Sequence, residues 1–191
     1  LSRERAVGKV INLEKKLKLK RNLIEGFLGL AHTRWATHGE PNEKNAHPHI
    51  ANNNISVVHN GIIENYLELK DSQIKQGYTF TSDTDTEVIA HAIDFAIQST
   101  NSLLEATQKV LKTFDGSYGL GIISLKHPNT LIAARKGSPL LIGIGSNENY
   151  IASDQMALLS VTNKFIFLEE GDVAELTLEK VTIYNKEGNI V

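Results

Sequence analysis

The close spacing of strand-like segments in the second half of the chain constrains the fold more than any other feature. Seven such segments follow Asp115-Gly116, and they cover residues 118–125, 130–135, 140–145, 149–153, 164–168, 172–178 and 181–185. A parallel crossover needs a dozen or more residues, so consecutive strands with such short connections must pair antiparallel. Pro128-Asn129 and Glu179-Lys180 predict hairpin turns between them.

The first half of the chain predicts mainly helices. The basic run that ends near Gly26 predicts the solvated face of one helix. The later helices are predicted over 64–76, closed by Gly77, and after two capping-box patterns, Thr84–Glu87 and Ser102–Glu105. Two strands are predicted as well, a short one at Leu28–Ala31 and one at Ile55–His59 that ends in an Asn60-Gly61 turn. Because strands and helices occur in separate runs, we predict an α+β fold with helices layered on antiparallel sheets.

Length and composition narrow the class of protein. A chain of 191 residues suffices for one well-buried domain, and we expect residues 1–191 to form a single domain. The net charge of -2 argues against nucleic acid or an anionic membrane as a partner. No apolar run is long enough to span a bilayer. The absence of cysteine excludes disulfides, thiolate metal ligands and a cysteine nucleophile within these residues, and it fits a cytoplasmic location.

The densest group of polar residues is the run from His32 to Pro41. Arg34 beside Trp35 suits a loop better than a buried strand. A guanidinium in a loop can hold a carboxylate or a phosphate through paired hydrogen bonds. A structural salt bridge of Arg34 accounts for the same residue types equally well.

Five of the seven histidines lie close together in the sequence, at His32, His38, His47, His49 and His59. This grouping suggests a metal site, but no HExxH pattern occurs and His47-Pro48-His49 has no carboxylate at a recognisable offset. We therefore expect histidines that anchor loops by hydrogen bonds to the backbone, with no metal and no cofactor.

Two further positions have both a structural and a functional interpretation. Asn60-Gly61 can be an ordinary turn, or its amide and the following backbone N–H can converge on a developing negative charge as an oxyanion hole. Asp85 can complement the N-terminus of a helix, or it can bind a substrate ammonium. Residue types alone leave both pairs of alternatives open.

Together the motifs resemble the class II glutamine amidotransferase family. The matching runs are HTRWATHG at 32–39, NAHPH at 45–49, HNGIIEN at 59–65, TDTE at 84–87, ARKGSPL at 134–140, ASDQ at 152–155 and FLEEGD at 167–172. They keep the family's order over nearly the whole chain, and their combination is specific although each is weak alone. Within the family, the similarity is to the branch that makes glucosamine 6-phosphate from fructose 6-phosphate.

The resemblance implies an N-terminal-nucleophile hydrolase fold, a four-layer αββα sandwich with two antiparallel sheets. It implies that an N-terminal cysteine, with its own α-amine as base, cleaves the side-chain amide of L-glutamine to give ammonia and L-glutamate. The ammonia would pass to a separate isomerase domain, and the full-length enzyme would be a homo-oligomer. By position, the resemblance implies that Arg34 binds the substrate α-carboxylate and Asp85 binds its α-ammonium. Thr37 and His38 would line the same pocket. Asn60 and Gly61 would form the oxyanion hole, and Trp35 would lie at the inner end of the pocket, near the ammonia exit.

The sequence departs from the family pattern at its start. The family begins with the cysteine, a strand and a helix, whereas Leu1 aligns several dozen residues into the domain. We therefore expect an N-terminally incomplete domain without that strand and helix, no isomerase domain, and no glutamine hydrolysis by these residues alone. Two alternatives stay open: another class II amidotransferase, of the phosphoribosyl-pyrophosphate-linked or asparagine-forming kind, and a non-catalytic module that binds an amino acid.

Overall fold

The computed structural model describes residues 1–19, 26–35 and 39–191. The helices in these ranges are α1 (Val10–Leu19), α2 (Tyr66–Lys75), α3 (Thr86–Ala96) and α4 (Leu103–Leu111). The strands are β1 (His49–Ala51), β2 (Ile55–Ile63), β3 (Gly116–Ser124), β4 (His127–Lys136), β5 (Leu141–Ile144), β6 (Asn149–Ala152), β7 (Phe165–Phe167), β8 (Val173–Leu176) and β9 (Val181–Tyr184). None of the helices within these ranges has the length and apolar character needed to cross a membrane.

The strands form two antiparallel sheets. The larger has the order β1-β2-β3-β4-β8-β9 and the smaller the order β6-β5-β7. Every paired neighbour is antiparallel, as the short connections predict. The seven strands predicted in the second half all form, so the α+β prediction is confirmed.

The larger sheet is buried on both faces, because successive side chains of a strand point to opposite sides. In β4, Ile132 and Ala134 belong to the core shared with α3 and α4. Leu131 and Ala133 point the other way, into a core shared with the smaller sheet. The layers are therefore helices, the larger sheet and the smaller sheet.

Tertiary contacts move one predicted hairpin turn. Pro128-Asn129 lies inside β4, and the turn between β3 and β4 falls at Leu125-Lys126, with Ser124 opposite His127. The buried Asn54 accounts for the difference, since its backbone carbonyl accepts the Leu125 N–H at 2.8 Å and its side-chain oxygen accepts the Lys126 N–H at 3.3 Å. Pro128 is tolerated because β4 pairs with β8 only from Leu131 onward. The predicted Glu179-Lys180 hairpin is confirmed between β8 and β9.

The strand β2 does not end at Asn60-Gly61 but continues to Ile63. Gly61 lies opposite Tyr118 of β3 and has a φ of +130°, which favours glycine. A Cβ atom on Gly61 would lie 2.2 Å from the carbonyl oxygen of Ser117, so no other residue fits the strand here. The turn interpretation of this pair is therefore wrong. The strand predicted at Leu28–Ala31 does not form either, and β1 was not predicted.

Helix boundaries follow the predictions in part. Gly77, with a φ of +94°, follows α2, and the Ser102 hydroxyl accepts the Glu105 N–H at 3.1 Å to begin α4. The capping box predicted from Thr84 to Glu87 is wrong, because the α3 N-cap is Asp85 and its side chain makes no capping hydrogen bond. Gly26 is not helical, and the predicted end of the first helix falls largely on residues 20–25, outside the described residues.

Candidate active site

A cavity of about 890 Å³ lies where residues 27–35 face the end of β2, the start of α3 and strands of both sheets. Its apolar wall includes Leu30, Val58, Leu131, Leu140 and Ile151. Its polar wall includes the predicted site residues Arg34, Trp35, Asn60, Gly61 and Asp85. The fold thus brings together groups that are far apart in sequence. The other two predicted site residues, Thr37 and His38, lie outside the described residues.

Asn60 presents its side chain at the cavity from within β2. Its Oδ1 lies 2.7 Å from the Nε2 of His32, and its Nδ2 has no hydrogen-bond partner among the described residues. The backbone of Gly61 follows directly and lines the same cavity. An amide nitrogen and a neighbouring backbone N–H are suited to hold one developing negative charge. Their assignment as an oxyanion hole stays a prediction.

Asp85 is a buried carboxylate, with 5% of the residue exposed. One oxygen, Oδ2, accepts the Ile63 N–H at 2.8 Å and lies 3.8 Å from Nδ1 of His59. The other oxygen accepts no hydrogen bond within the described residues. Since Asp85 lines the cavity, this oxygen is available to accept from an ammonium group placed there. Asp85 is the N-cap residue of α3 without a side-chain capping hydrogen bond. It can therefore still complement the positive end of the helix dipole, and binding of a substrate ammonium stays a prediction.

Arg34 and Trp35 border the same cavity. Arg34 is half-buried, and its Nη2 donates to the carbonyl oxygen of Gly39 at 3.3 Å. This contact fixes the guanidinium against the backbone of Gly39. Trp35 is 88% exposed, which places its side chain at the outer rim of the cavity rather than at its inner end. A role for Trp35 in the exit of ammonia stays a prediction.

The histidines beside the cavity contact one another and their neighbours. The rings of His32 and His47 stack with centroids 4.2 Å apart. His47 accepts the backbone N–H of His59 on Nδ1 at 3.2 Å. The Nε2 of His59 lies 3.3 Å from the carbonyl oxygen of Ser117, which can only accept, so this nitrogen donates. In the neutral ring, Nδ1 of His59 then accepts the hydroxyl of Thr86 at 3.2 Å.

Burial keeps these rings neutral. Desolvation lowers the pKa of His49 to about 4, and it lowers the pKa of His47 and His59 as well. The Nε2 of His49 pairs with the hydroxyl of Thr84 at 3.0 Å. The described histidines thus tie the 45–49 segment to β2 and to the loop before α3, as loop-anchoring residues do.

Glu87 is a residue whose role was not predicted. Its buried carboxylate accepts the N–H groups of Thr81 and Ser82 at 2.9 and 2.7 Å, and the Ser82 hydroxyl at 2.6 Å. Burial alone would raise the pKa of Glu87, but the nearby His91 ring and these donors hold it far below its ordinary value. Glu87 therefore fixes the loop that ends at Asp85. One sequence signal could have indicated this role of Glu87. Two hydroxyl residues, Thr81 and Ser82, precede a glutamate that lies among the apolar residues of a helix.

The chemistry of the cavity matches a small zwitterion with an amide. A guanidinium and a buried carboxylate suit the two charges of a free amino acid. The amide of Asn60 suits a carbonyl oxygen that becomes negative during acyl transfer. The apolar wall lowers the local dielectric beside these groups, which strengthens their electrostatic contacts.

Comparisons with known proteins agree with this geometry. The sequence signature of a family described as a glutamine amidotransferase domain matches residues 32–160. Glutamine–fructose-6-phosphate aminotransferase (isomerizing) of Acinetobacter baylyi is 56% identical over 182 residues, which are 95% of this chain and 29% of that protein. The enzyme of the same name from Haemophilus influenzae is 54% identical over 99% of this chain and 30% of its own length. The chain thus spans about 30% of the length of these curated relatives.

Solved structures show the same architecture. Glutamine phosphoribosylpyrophosphate amidotransferase from Bacillus subtilis, complexed with ADP and GMP, superposes with a TM-score of 0.68 at 26% identity. The match covers 83% of this chain and 35% of that one. A glutamine aminotransferase class-II domain protein from Silicibacter pomeroyi shares the fold, with a TM-score of 0.52 at 14% identity over 73% of this chain and 70% of its own. The predicted N-terminal-nucleophile hydrolase-like sandwich of two antiparallel sheets with helices is thereby confirmed. The described residues show three of the four predicted layers: the helices, the larger sheet and the smaller sheet.

Proposed function

The chain belongs to the glutamine amidotransferase domain family, and we propose that it is the glutamine-hydrolysing domain of a glutamine–fructose-6-phosphate aminotransferase. The observation that carries the proposal is the meeting of Arg34, Asp85 and Asn60 in one cavity. The choice of branch within the family is supported by identities of 51% to 56% with relatives of that name, against 26% with the phosphoribosylpyrophosphate enzyme.

Recognition of glutamine would depend on its two charges. Arg34 would pair with the α-carboxylate and Oδ1 of Asp85 with the α-ammonium, while Thr37 and His38 would complete the pocket. Removing one partner of a buried charge pair leaves the other charge unpaired, at a cost of roughly 2–5 kcal/mol. A side-chain amide without the amino-acid end would therefore bind poorly.

Catalysis would follow the acyl-transfer route of the family. A thiolate attacks the carboxamide carbon, and the carbonyl electron pair moves to oxygen, where Asn60 Nδ2 and the Gly61 N–H donate to it. The oxyanion collapses, the C–N bond breaks and the nitrogen leaves with an added proton as ammonia. Water then cleaves the thioester to glutamate and regenerates the thiol. Because this sequence contains no cysteine, the thiol would come from a cysteine outside these 191 residues, which alone would not hydrolyse glutamine.

We propose that the ammonia passes Trp35 and reaches an isomerase domain that aminates fructose 6-phosphate. The full-length enzyme would be a homo-oligomer in the cytoplasm. The lack of cysteine and the net charge of -2 are consistent with that setting and with the absence of nucleic-acid or membrane partners. The names and lengths of the relatives, about three times this chain, are the support for a further domain.

Product analysis tests the proposal with the full-length protein that contains these residues. Incubation with glutamine and fructose 6-phosphate should give glutamate and glucosamine 6-phosphate in equal amounts. Glutamate without the amino sugar would indicate a different class II amidotransferase. Saturable glutamine binding without any glutamate release would indicate a non-catalytic binding module and overturn the proposal.

A further inference from the structure

The side chain of Asn60 is held at one end by a histidine. The Nε2 of His32 lies 2.7 Å from the Oδ1 of Asn60. An asparagine amide has two ends of opposite polarity, since Oδ1 accepts hydrogen bonds and Nδ2 donates them. Whichever end faces His32, the other end faces the cavity that both residues line. The identity of that end decides whether Asn60 attracts or repels a developing negative charge.

The ring of His32 is fixed in place independently of Asn60. It stacks on His47 with an interplanar angle of 19°. His47 is itself buried and held by the backbone N–H of His59, one residue before Asn60 on β2. The stack therefore places Nε2 of His32 at a set distance from the strand that carries Asn60.

The proton on the His32 ring has two possible positions. Burial lowers the pKa of His32, so the ring is neutral near pH 7 and carries a single N–H. With the proton on Nε2, the ring donates to Oδ1 and leaves Nδ2 of Asn60 toward the cavity. With the proton on Nδ1, Nε2 would accept, the amide would turn over, and a carbonyl oxygen would meet the oxyanion. Nδ1 is buried with no hydrogen-bond partner among the described residues. Of the two hydrogen-bonding contacts that raise the pKa of His32, the Asn60 side chain acts more strongly than the His59 backbone. The Nε2–H tautomer therefore places the proton in the better-formed hydrogen bond.

We propose that His32 is a positioning residue for amide hydrolysis, whose Nε2–H holds the Asn60 amide with its donor end toward the reacting carbonyl. The inference rests on the proposed glutaminase function and adds a residue that touches no substrate. It requires the Nε2–H tautomer of His32. It also requires that His32 acts on the transition state only through Asn60.

Variants of the full-length protein separate the hydrogen bond from the ring stack. H32F keeps an aromatic ring against His47 but has no N–H donor, and H32Q offers an amide donor without the ring. We expect H32F to lower the kcat for glutamate release by about tenfold or more, without exceeding the loss in N60A, and to leave the KM for glutamine unchanged. H32Q should recover most of the lost kcat. Wild-type kcat in H32F, or a loss in H32Q equal to that in H32F, would contradict the proposal.

A double-mutant cycle tests whether the effect passes through Asn60. Once Asn60 is alanine there is no amide to orient, so H32F should change the kcat of N60A by less than about twofold. If the loss of kcat in the double variant equalled the product of the losses in H32F and N60A, His32 would act independently of Asn60 and the proposal would be overturned.

A readout that needs no activity distinguishes this proposal from the proposed function. In full-length protein labelled with nitrogen-15 only at histidine, the signals lost in H32Q belong to His32. They should show a protonated Nε2 and an unprotonated Nδ1 at neutral pH. The opposite pattern would overturn the positioning role even in an active enzyme. If the wild-type protein released no glutamate, the proposed function would fail, and the tautomer would still decide whether His32 orients Asn60.

Discussion

Arg34 and Asp85 show what single side chains contribute to the cavity. Each would neutralise one charge of glutamine, so R34A and D85N in the full-length protein should raise KM sharply. A loss of ~3 kcal/mol for either contact lowers kcat/KM on the order of a hundredfold. Steady-state glutamate release measures this. K44A is the matched control, because it removes only the exposed ion pair of Lys44 with Asp83 and should leave KM unchanged. Unchanged kinetics in both R34A and D85N would refute the pocket assignment.

Asn60 should act on the transition state rather than on binding. Loss of one oxyanion-hole donor reduces kcat by roughly 10²–10³, and N60A should show a loss of this size with nearly unchanged glutamine affinity. Stopped assays at saturating glutamine give kcat. Equilibrium binding of the product glutamate, which has the same α-carboxylate and α-ammonium, reports the affinity for the amino-acid end of glutamine. A normal kcat in N60A would mean that the residue serves only the β2 strand.

The loop before α3 is an element held by one carboxylate. Glu87 accepts the N–H groups of Thr81 and Ser82, and E87Q would weaken these buried contacts. We expect a loss of about 1–3 kcal/mol in the free energy of unfolding and a higher KM for glutamine, because Asp85 ends this loop. Urea unfolding and glutaminase kinetics measure the two effects.

Glu105 provides the control for that prediction. It also accepts a backbone N–H, that of Asn101 at 3.0 Å, but at an exposed helix start. Because water can replace the exposed contact, E105Q should lower the free energy of unfolding by much less than E87Q does. Equal costs would show that Glu87 stabilises α3 only as an ordinary first-turn acidic residue.

Stability of the whole molecule should fall on acidification before the carboxylates protonate. The folded pKa of His49 is about 4 because of burial, with Arg5 and Arg3 opposing the nearby Glu87. Between pH 6.5 and pH 4 the unfolded chain binds a proton that the folded chain rejects, so unfolding becomes easier as pH falls. The shift of His49 corresponds to about 3 kcal/mol at the acidic end. Burial of His47 and His59 acts with the same sign.

Thermal denaturation at a series of pH values checks this prediction. The Tm of the transition that includes this domain should drop steadily from about pH 6.5 downward. H49Q removes one of the titrating rings and should make that pH dependence shallower, whatever it does to the Tm at neutral pH. A Tm that is constant from about pH 6.5 to about pH 5 would contradict the expected role of the buried histidines.

Sequence pattern alone indicated the seven strands of the second half and their antiparallel pairing, and the family resemblance indicated most residues of the candidate site. The four consecutive apolar residues 131–134 of β4 are typical of a strand buried on both faces, because successive side chains point to opposite sides of the sheet. The motif around Arg34 and the motif around Asn60 identified site residues through family resemblance. Neither the roles of Glu87 and His32 nor the course of β2 through Asn60-Gly61 was indicated in this way.

The hydrogen-bond partners of the polar side chains could not be predicted from the sequence and follow from the folded arrangement of the chain. Hydrogen bonds to Asn54 place the turn at Leu125-Lys126 and not at Pro128-Asn129. Glu87 accepts the N–H groups of Thr81 and Ser82 and does not form the predicted capping box. Asn60 pairs with His32, whose ring is placed beside it by stacking on His47. A polar side chain bonds to whatever donor or acceptor the fold brings within about 3 Å. That neighbour is distant in sequence, so local pattern alone does not specify it.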